Sequence, residues 1–217
     1  MFAHHRMLLA LAVTVVTGAV AAPAAAAQMP TDPAEALRVF EHETEVSDWA
    51  GGPVQYLFTR EERDIWNELD NDEERTDFVQ WFWDRRDEDL RDRRHPFREG
   101  FYTRVATAND RFAGFPRGWR SDRGRVWIVL GRPDGIRAGG LSAEIWIYNT
   151  YGGILKSSSV LGQMEVGFEQ FEPSNWRIMG GVGPGAWPPY VLQAFDIVNQ
   201  AVIQQPDLEW KGGAAHR

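Results

Sequence analysis

The spacing of apolar residues changes along this chain, from a helical period before residue 114 to a strand-like period after residue 124. In residues 97–112, apolar side chains recur every three or four positions, the repeat that lines one face of a helix. In residues 164–169 they alternate with glutamate and glycine, as in a strand with one wet face. Helices followed by strands, without regular alternation, predict an α+β fold in which N-terminal helices pack on a small, mainly antiparallel sheet.

Local signals predict where the helices begin. Thr59, followed by Glu62 three residues later, has the form of a capping box for a helix that starts after it. Asp72 can cap a second helix, and Pro96 suits the first turn of a third. Pro189 can begin a last, C-terminal helix, because apolar residues follow it at helical spacing.

Four segments are predicted to form strands. Residues 125–130 are apolar on both faces, which is typical of a central buried strand, and turn residues follow at 131–135. Residues 144–148 and 154–161 are further strand candidates, and 164–169 form the strand with one wet face.

The N-terminal 27 residues have the pattern of a secretory signal peptide. Arg6 precedes an apolar run, residues 7–20, and small residues lead up to Ala27, where we expect cleavage. The alternative is an uncleaved anchor, which Pro23 and the alanine-rich end disfavour. We therefore expect a secreted or periplasmic protein with no stable membrane span after cleavage.

The rest of the chain divides into three predicted parts. Residues 28–53 contain prolines and glycines between short apolar stretches and are expected to form an arm or linker. Residues 54–180 are expected to form the main domain. Residues 181–217 are expected to contribute a Gly/Pro-rich loop, the C-terminal helix and a tail.

Composition excludes several classes of function. The chain has no cysteine, which excludes disulfides, thiol nucleophiles and cysteine-ligated metals. A net charge of −8 disfavours a general nucleic-acid binder. Its histidines show no metal-ligand spacing, and it has neither a phosphate-binding glycine motif nor a Gly-x-Ser-x-Gly elbow. We therefore predict no metal, no cofactor and no assignable catalytic residue.

Two groups of side chains have more than one interpretation. The run of alternating charge at residues 84–94 is predicted to be a solvated helix end; alternatively, its arginines bind an anionic partner. Tryptophans within regular elements are expected in the core, namely Trp66, Trp81, Trp83, Trp127 and Trp146. Those in turns either pack onto the sheet or form a binding surface, namely Trp119, Trp176, Trp187 and Trp210.

Two turns flank the apolar run 125–130. In the first, Asp122 is predicted to accept backbone N–H bonds or to pair with arginine, and Asp134 lies in the second. If the run is a strand, about 3.3 Å per residue places the two carboxylates tens of ångströms apart. They are therefore not a paired general acid and base.

Several separated blocks of sequence carry a family resemblance. In chain order they are residues 57–63, 82–87, 104–112, 118–122, 124–134 and 144–148. The block Gly118-Trp119-Arg120-Ser121-Asp122 resembles the motif of the GWxTD domain, with Ser121 in place of the usual Thr. The resemblance covers residues 54–180. It implies an exported bacterial protein from a family of uncharacterised function, and it supplies no reaction.

The leading functional hypothesis is an exported, non-enzymatic interaction domain that binds an envelope protein or glycan. The residues expected to fix turns or contact a ligand are Trp119, Asp122, Arg123, Asp134, Arg104 and Asn109. The alternative is a hydrolase that acts on a glycan or peptide through carboxylates such as Glu144, Glu165 or Glu169. A third possibility is a structural module attached to partners through residues 28–53.

Overall fold

The computed structural model describes residues 29–92, 94–112, 114, 118–155, 161–183 and 185–212. Within these residues the chain has an α+β fold, as the sequence predicts. The predicted signal peptide lies outside the described residues. In the part of the chain that is described, no helix has both the length and the apolar character needed to cross a membrane.

Six α-helices supply most of the described regular structure. They are α1 (Pro33–Leu37), α2 (Arg60–Glu68), α3 (Asp72–Asp84), α4 (Pro96–Arg111), α5 (Asp122–Leu130) and α6 (Pro189–Ala201). The predicted capping box is present at the start of α2. The Thr59 hydroxyl accepts a hydrogen bond from the Glu62 backbone N–H, and the Glu62 carboxylate accepts one from the Thr59 N–H. The predicted helix starts near residues 72, 96 and 189 are likewise confirmed.

Four strands form one antiparallel sheet in the order β1-β2-β3-β4. They are β1 (Gly135–Gly140), β2 (Ala143–Tyr148), β3 (Met164–Glu172) and β4 (Asn175–Ile178). Trp146, Val166 and Phe168 are buried on one face, whereas Glu165 and Glu169 are exposed on the other. The predictions at 144–148 and 164–169 are therefore confirmed. Most of the strand predicted at 154–161 lies outside the described residues.

The prediction of a buried strand at 125–130 is wrong, because these residues belong to helix α5. The Ser121 hydroxyl caps the helix by accepting a hydrogen bond from the Gly124 N–H at 3.0 Å. All residues from Val126 to Leu130 are buried. Since α5 packs against α4, α6 and β4, it is apolar on every side, and its sequence shows no helical period.

Residues 29–53 pack into the helical core, although we expected an arm or linker there. Helix α1 packs on α4, and Ala36 is fully buried. The buried Trp49 ring lies 5.2 Å from that of Phe82 and 5.6 Å from that of Trp66. The apolar residues between the prolines and glycines of this segment therefore complete the core.

The charged run 84–94 is not a uniformly solvated helix end. Arg86 is buried, and its Nη1 and Nη2 atoms each lie 2.8 Å from one carboxylate oxygen of the buried Glu62. The Arg86 guanidinium also donates to the carbonyls of Phe82 and Leu57. Among the described residues of the run, positions 88, 90–92 and 94 are exposed, as predicted. The charge pair with Glu62 and the hydrogen bonds of Nη1 and Nη2 are what allow this arginine to lie in the core.

The chain after α6 returns to the end of α3. The backbone N–H groups of Gln204 and Gln205 both donate to the Arg85 carbonyl. The indole N–H of Trp81 donates to the Leu208 carbonyl at 2.9 Å. The Trp210 ring lies 5.5 Å from that of Trp81. The C-terminal tail thus covers helix α3 and extends its core.

Candidate functional site

The turn before α5 is held by a buried asparagine. The Asn109 side chain accepts a hydrogen bond from the Trp119 N–H at 3.0 Å and donates one to the Pro30 carbonyl at 2.8 Å. Gly118 has a φ of +61°, and a Cβ atom there would lie 2.3 Å from the Asn109 side-chain oxygen. The turn therefore requires glycine at 118, and Asn109 links it to the N-terminal segment.

Trp119 does not lie on the surface that the sequence suggested. Only 3% of the residue is exposed. Its ring lies 6.0 Å from that of Phe40 and 5.8 Å from that of Tyr56, and the Arg120 guanidinium lies over it at 4.3 Å. Trp119 is therefore a core residue beneath the turn, and its side chain is not positioned to stack on a ligand.

Asp122, the first residue of α5, accepts a hydrogen bond from the outer side of the edge strand β4. Met179 donates its N–H to Gly167 in the neighbouring strand β3, so the N–H of Ile178 points away from β3. That N–H is bonded to the Asp122 carboxylate at 2.9 Å. Burial raises the pKa of Asp122, and the Ile178 hydrogen bond and the charges of two arginines, Arg125 and Arg177, offset this only in part.

Asp122 lines an open cleft of about 310 Å³, which we call the Asp122 cleft. Its side-chain lining is Asp122, Glu169, Phe171, Arg177, Ile178 and Met179, and the loop residues Gly180, Gly181, Gly183, Gly185 and Ala186 form the rest. A Cβ atom at Gly181 would lie 1.8 Å from the Ala186 carbonyl oxygen, so the fold of this loop depends on that glycine.

The Asp122 cleft is bordered by exposed apolar side chains. Phe171 and Met179, both in its lining, are 58% and 36% exposed. Val182, which is 92% exposed, lies between the lining residues Gly181 and Gly183. The Arg177 guanidinium lies 4.0 Å from the centre of the Phe171 ring, and Arg177 is the cross-strand neighbour of Glu169. The cleft therefore combines an apolar border with two carboxylates and one guanidinium.

Arg123 is engaged within the protein. It forms a 3.2 Å ion pair with Glu144, and its guanidinium lies 4.6 Å from the centre of the Trp176 ring. Burial lowers the pKa of Arg123, and Glu144 partly offsets this effect. Glu144 also accepts a hydrogen bond from the Trp146 indole. These contacts attach the first turn of α5 to the sheet.

The three carboxylates considered for a hydrolase lie in different surroundings. Glu169 lines the Asp122 cleft, whereas Glu144 pairs with Arg123 and Glu165 pairs with Arg137 at 2.7 Å. Glu165 and Glu169 are four residues apart on β3, so their Cα atoms are about 13 Å apart. The structure thus places Glu169 in the same cleft as Asp122, which the sequence did not predict.

Asp134 fixes the turn that follows α5. Its carboxylate accepts hydrogen bonds from the Thr150 hydroxyl at 2.6 Å, from the Thr150 N–H and from the Asn149 N–H. The Thr150 hydroxyl and these backbone groups lower the pKa of Asp134. Because the intervening segment is a nine-residue helix, it rises only about 13 Å, much less than the strand we expected. Asp122 still lies at one end of this helix and Asp134 beyond the other.

The sixth predicted residue, Arg104, lies on α4 and lines a different cavity. Its Nε atom donates to the Ile128 carbonyl at 2.8 Å. Of the six predicted site residues, Asp122 is therefore the one that lines the Asp122 cleft. Arg177 and Phe171 were missed, because nothing local in the sequence indicates that β4 meets the start of α5.

A metal site has no support in the described part of the chain, where no group of three or more His, Asp or Glu side chains is placed to hold an ion. The Asp122 cleft offers carboxylates, a guanidinium and apolar surface, which suit a polar and partly apolar organic ligand.

Comparison with known proteins identifies the family. The family model of the GWxTD domain matches residues 40–177. None of the curated proteins and none of the solved structures compared with the chain is a match. The matched range is more than half of the chain and includes the Glu62–Arg86 pair, the turn before α5 and all of the sheet except Ile178, the last residue of β4. The chain belongs to the GWxTD domain family.

Proposed function

We propose that this protein is an exported, non-enzymatic interaction domain that binds a short peptide segment of an envelope protein in the Asp122 cleft. Export rests on the signal-peptide pattern of residues 1–27. The binding role rests chiefly on the exposed apolar side chains of the cleft, since Phe171 and Met179 line it together with two carboxylate groups.

The apolar border supports association because covering it removes surface from water, at about 25 cal/mol per Å² of apolar area. Phe171, Met179 and Val182 are all exposed and come from β3, the end of β4 and the glycine-rich loop. Their clustering around a concave site differs from single apolar residues scattered over a surface. An apolar anchor residue of the peptide would contact this border.

The polar groups of the Asp122 cleft define the second feature of the ligand. Ile178 bonds to Oδ2 of Asp122, and among the described residues no donor bonds to Oδ1. Glu169 adds a second carboxylate to the same cleft. Two carboxylates favour a cationic side chain, so we propose a peptide in which a lysine or arginine lies near the apolar anchor.

Site-specific crosslinking tests this proposal. A photo-crosslinking residue is placed at Val182, and a control at Leu141, which is also fully exposed but lies between β1 and β2. In the native envelope, we expect one recurrent protein partner from position 182 and not from 141. Mass spectrometry of the crosslinked peptide should find an apolar residue close to a basic one.

Matched variants complete the experiment. Phe171→Ser should abolish the crosslink from position 182, whereas Leu141→Ser should leave it unchanged, and both should remain folded because both residues are exposed. Equal crosslinking from 141 and 182, or a crosslink insensitive to Phe171→Ser, would contradict binding in the Asp122 cleft.

One observation favours a second candidate, a hydrolase acting on a glycan or peptide. Burial raises the pKa of Asp122, and Asp122 shares its cleft with the Glu169 carboxyl group; glycan hydrolysis uses two carboxyl groups in one cleft, one of them a general acid with a raised pKa. Turnover of cell-wall glycan or peptide that is lost in both Asp122→Asn and Glu169→Gln would support it. Turnover that survives both substitutions would exclude these residues as catalysts.

A further inference from the structure

A second cavity of about 300 Å³ lies where α4, the turn Tyr151–Gly153 and the end of α6 meet. The residues that determine its chemistry are Arg86, Glu88, Arg104, Gly152, Gly153 and Gln204. We call it the Arg104 cavity. It shares no lining residue with the Asp122 cleft.

Arg104 differs from Arg86 and Arg98, two other arginines of the helical region that are shielded from solvent. Arg86 is paired with Glu62, and Arg98 is paired with Glu41 at 2.8 Å. For Arg104, the described residues supply the Ile128 carbonyl as acceptor at Nε but no salt bridge. Its Nη2 atom is buried and has no hydrogen-bond partner.

The surroundings of Arg104 leave its charge uncompensated. Burial lowers the pKa of Arg104 to about 10, and no neighbouring carboxylate offsets this effect. A buried cation without a counter-charge is costly, and such groups concentrate at functional sites. A negatively charged ligand in the cavity would supply the missing charge and an acceptor for Nη2.

The walls of the Arg104 cavity leave room for a small group beside the guanidinium. Gly152 and Gly153 have φ angles of +59° and +77°, and a Cβ atom at Gly153 would meet no other atom within 4 Å. A Cβ atom at Gly100 would lie 3.5 Å from Nη1 of Arg104. The space around the guanidinium is thus bounded by glycine backbone. The forked geometry of arginine suits an oxyanion there.

We propose that the Arg104 cavity binds the carboxylate or phosphate group of a small anionic ligand through the guanidinium of Arg104. Arg86 also lines the cavity, but its charge is already paired with Glu62. Glu88 contributes a negative charge to the same lining, which disfavours ligands that carry several negative groups there. This site is independent of the peptide-binding role proposed for the Asp122 cleft.

Calorimetric titration with inorganic phosphate and with acetate, each against sodium chloride at equal ionic strength, tests the proposal. We expect saturable binding of at least one of the two oxyanions. Binding of phosphate alone or acetate alone identifies the preferred group. If neither oxyanion binds beyond the chloride control, the proposal is overturned.

Substitutions locate the binding. Arg104→Met, which keeps an apolar stem beside Phe97 and Phe101, should weaken oxyanion binding about tenfold or more. Arg137→Met, at an exposed arginine paired with Glu165, is the matched control and should have no effect. Unchanged affinity in Arg104→Met would overturn the assignment.

A second variant covers the case in which Arg104→Met does not fold. Gly100→Leu keeps the arginine but fills the space beside Nη1, and leucine is compatible with the interior of α4. We expect it to remain helical and to lose oxyanion binding. Full affinity in a folded Gly100→Leu protein would count against a ligand next to the guanidinium.

Discussion

Glu62 and Asp122 are two carboxylates in similar positions whose surroundings have opposite effects. Each lies in the first turn of a helix, α2 or α5, and each accepts a backbone N–H bond. Burial raises the pKa of both. For Glu62, the charge and hydrogen bonds of Arg86 outweigh burial, and the pKa is held below its ordinary value. For Asp122 burial prevails, and the pKa is raised.

The two sites differ in the contacts that the nearby arginines make. Arg86 bonds both oxygens of Glu62 at 2.8 Å. Arg125, whose charge acts on Asp122, lies over the Trp187 ring at 4.4 Å and over the Tyr56 ring at 5.2 Å. The helical core therefore neutralises its acid completely, whereas the junction of α5 and β4 leaves its acid partly uncompensated. Uncompensated groups of this kind are typical of binding sites.

Removing the arginine from the neutralised pair should have the largest effect. Arg86→Met removes the arginine that bonds both oxygens of Glu62 and leaves only Arg85, 3.3 Å from one of them. We expect a loss of about 3 kcal/mol in the free energy of unfolding, near the lower end of the range for breaking a buried pair. Urea denaturation measures it. Arg137→Met removes an exposed pair with Glu165 and should cost no more than about 1 kcal/mol. Similar losses in the two variants would show that the Glu62–Arg86 pair does not stabilise the core.

Glu62→Gln should have the next largest effect and should depend on pH. At neutral pH we expect a cost of about 1.5–3 kcal/mol, the usual range for hydrogen bonds to a charged group. Because the pKa of Glu62 is lower in the folded state, its contribution is complete above about pH 4.3, the ordinary glutamate value, and is lost as pH falls through the folded pKa. Denaturation between pH 7 and pH 3 should show that the difference in free energy of unfolding between wild type and variant becomes smaller in acid. If this difference is the same at every pH, the charge of Glu62 contributes nothing to stability.

Removal of a helix cap should have a smaller effect of similar size at the two sites. Ser121→Ala removes the acceptor for the Gly124 N–H, and Thr59→Ala removes the acceptor for the Glu62 N–H. Each should cost about 0.5–2 kcal/mol. Ser121→Thr, which restores the usual residue of the family motif, should keep the hydroxyl and most of the stability. If Ser121→Ala alone costs more than this range, the Ser121 hydroxyl stabilises the turn before α5 in addition to capping the helix.

The smallest effect is expected for Asp122→Asn, with the opposite pH dependence. A raised folded pKa means that the contribution of Asp122 is most favourable at low pH and is lost as pH rises through the folded pKa. The amide keeps an acceptor for the Ile178 N–H, so stability at neutral pH should change by about 0.5 kcal/mol or less. From pH 3 to pH 7, wild type should lose stability relative to Asp122→Asn. If wild type instead gains stability relative to Asp122→Asn over this range, Asp122 and Glu62 do not differ in their pH dependence.

Local signals in the sequence predicted much of the helical region. Capping residues and apolar spacing indicated α2, α3, α4 and α6, because each has one wet face and a distinct start. Helix α5 was not predicted, because it is buried on all sides and its apolar run fits a strand equally well. Strands β1 and β4 were missed because β1 is rich in glycine and β4 has only four residues.

The candidate site could be predicted only in part. Asp134 accepts backbone N–H bonds from Asn149 and Thr150 and fixes its turn, whereas the N–H that Asp122 accepts belongs to Ile178 in β4 rather than to the turn before α5. The Asp122 cleft was not visible in the sequence, because Asp122 and Ile178 are 56 positions apart. The pairing of Glu62 with Arg86 spans 24 positions, and its arginine lies within a run that looks solvated. Contacts of this kind depend on the tertiary fold rather than on local pattern.

The return of the C-terminal tail to α3 has a consequence for the order of folding. Trp81 and its hydrogen-bond partner Leu208 are separated by 127 positions, and Trp210 packs on the same helix. A chain synthesised from its N-terminus exposes this side of α3 until the final segment emerges, and closing so long a loop is slow. We therefore expect the nascent protein to expose part of its aromatic core throughout synthesis. Trp81 therefore stays accessible for a long time to any general chaperone that recognises exposed aromatic residues.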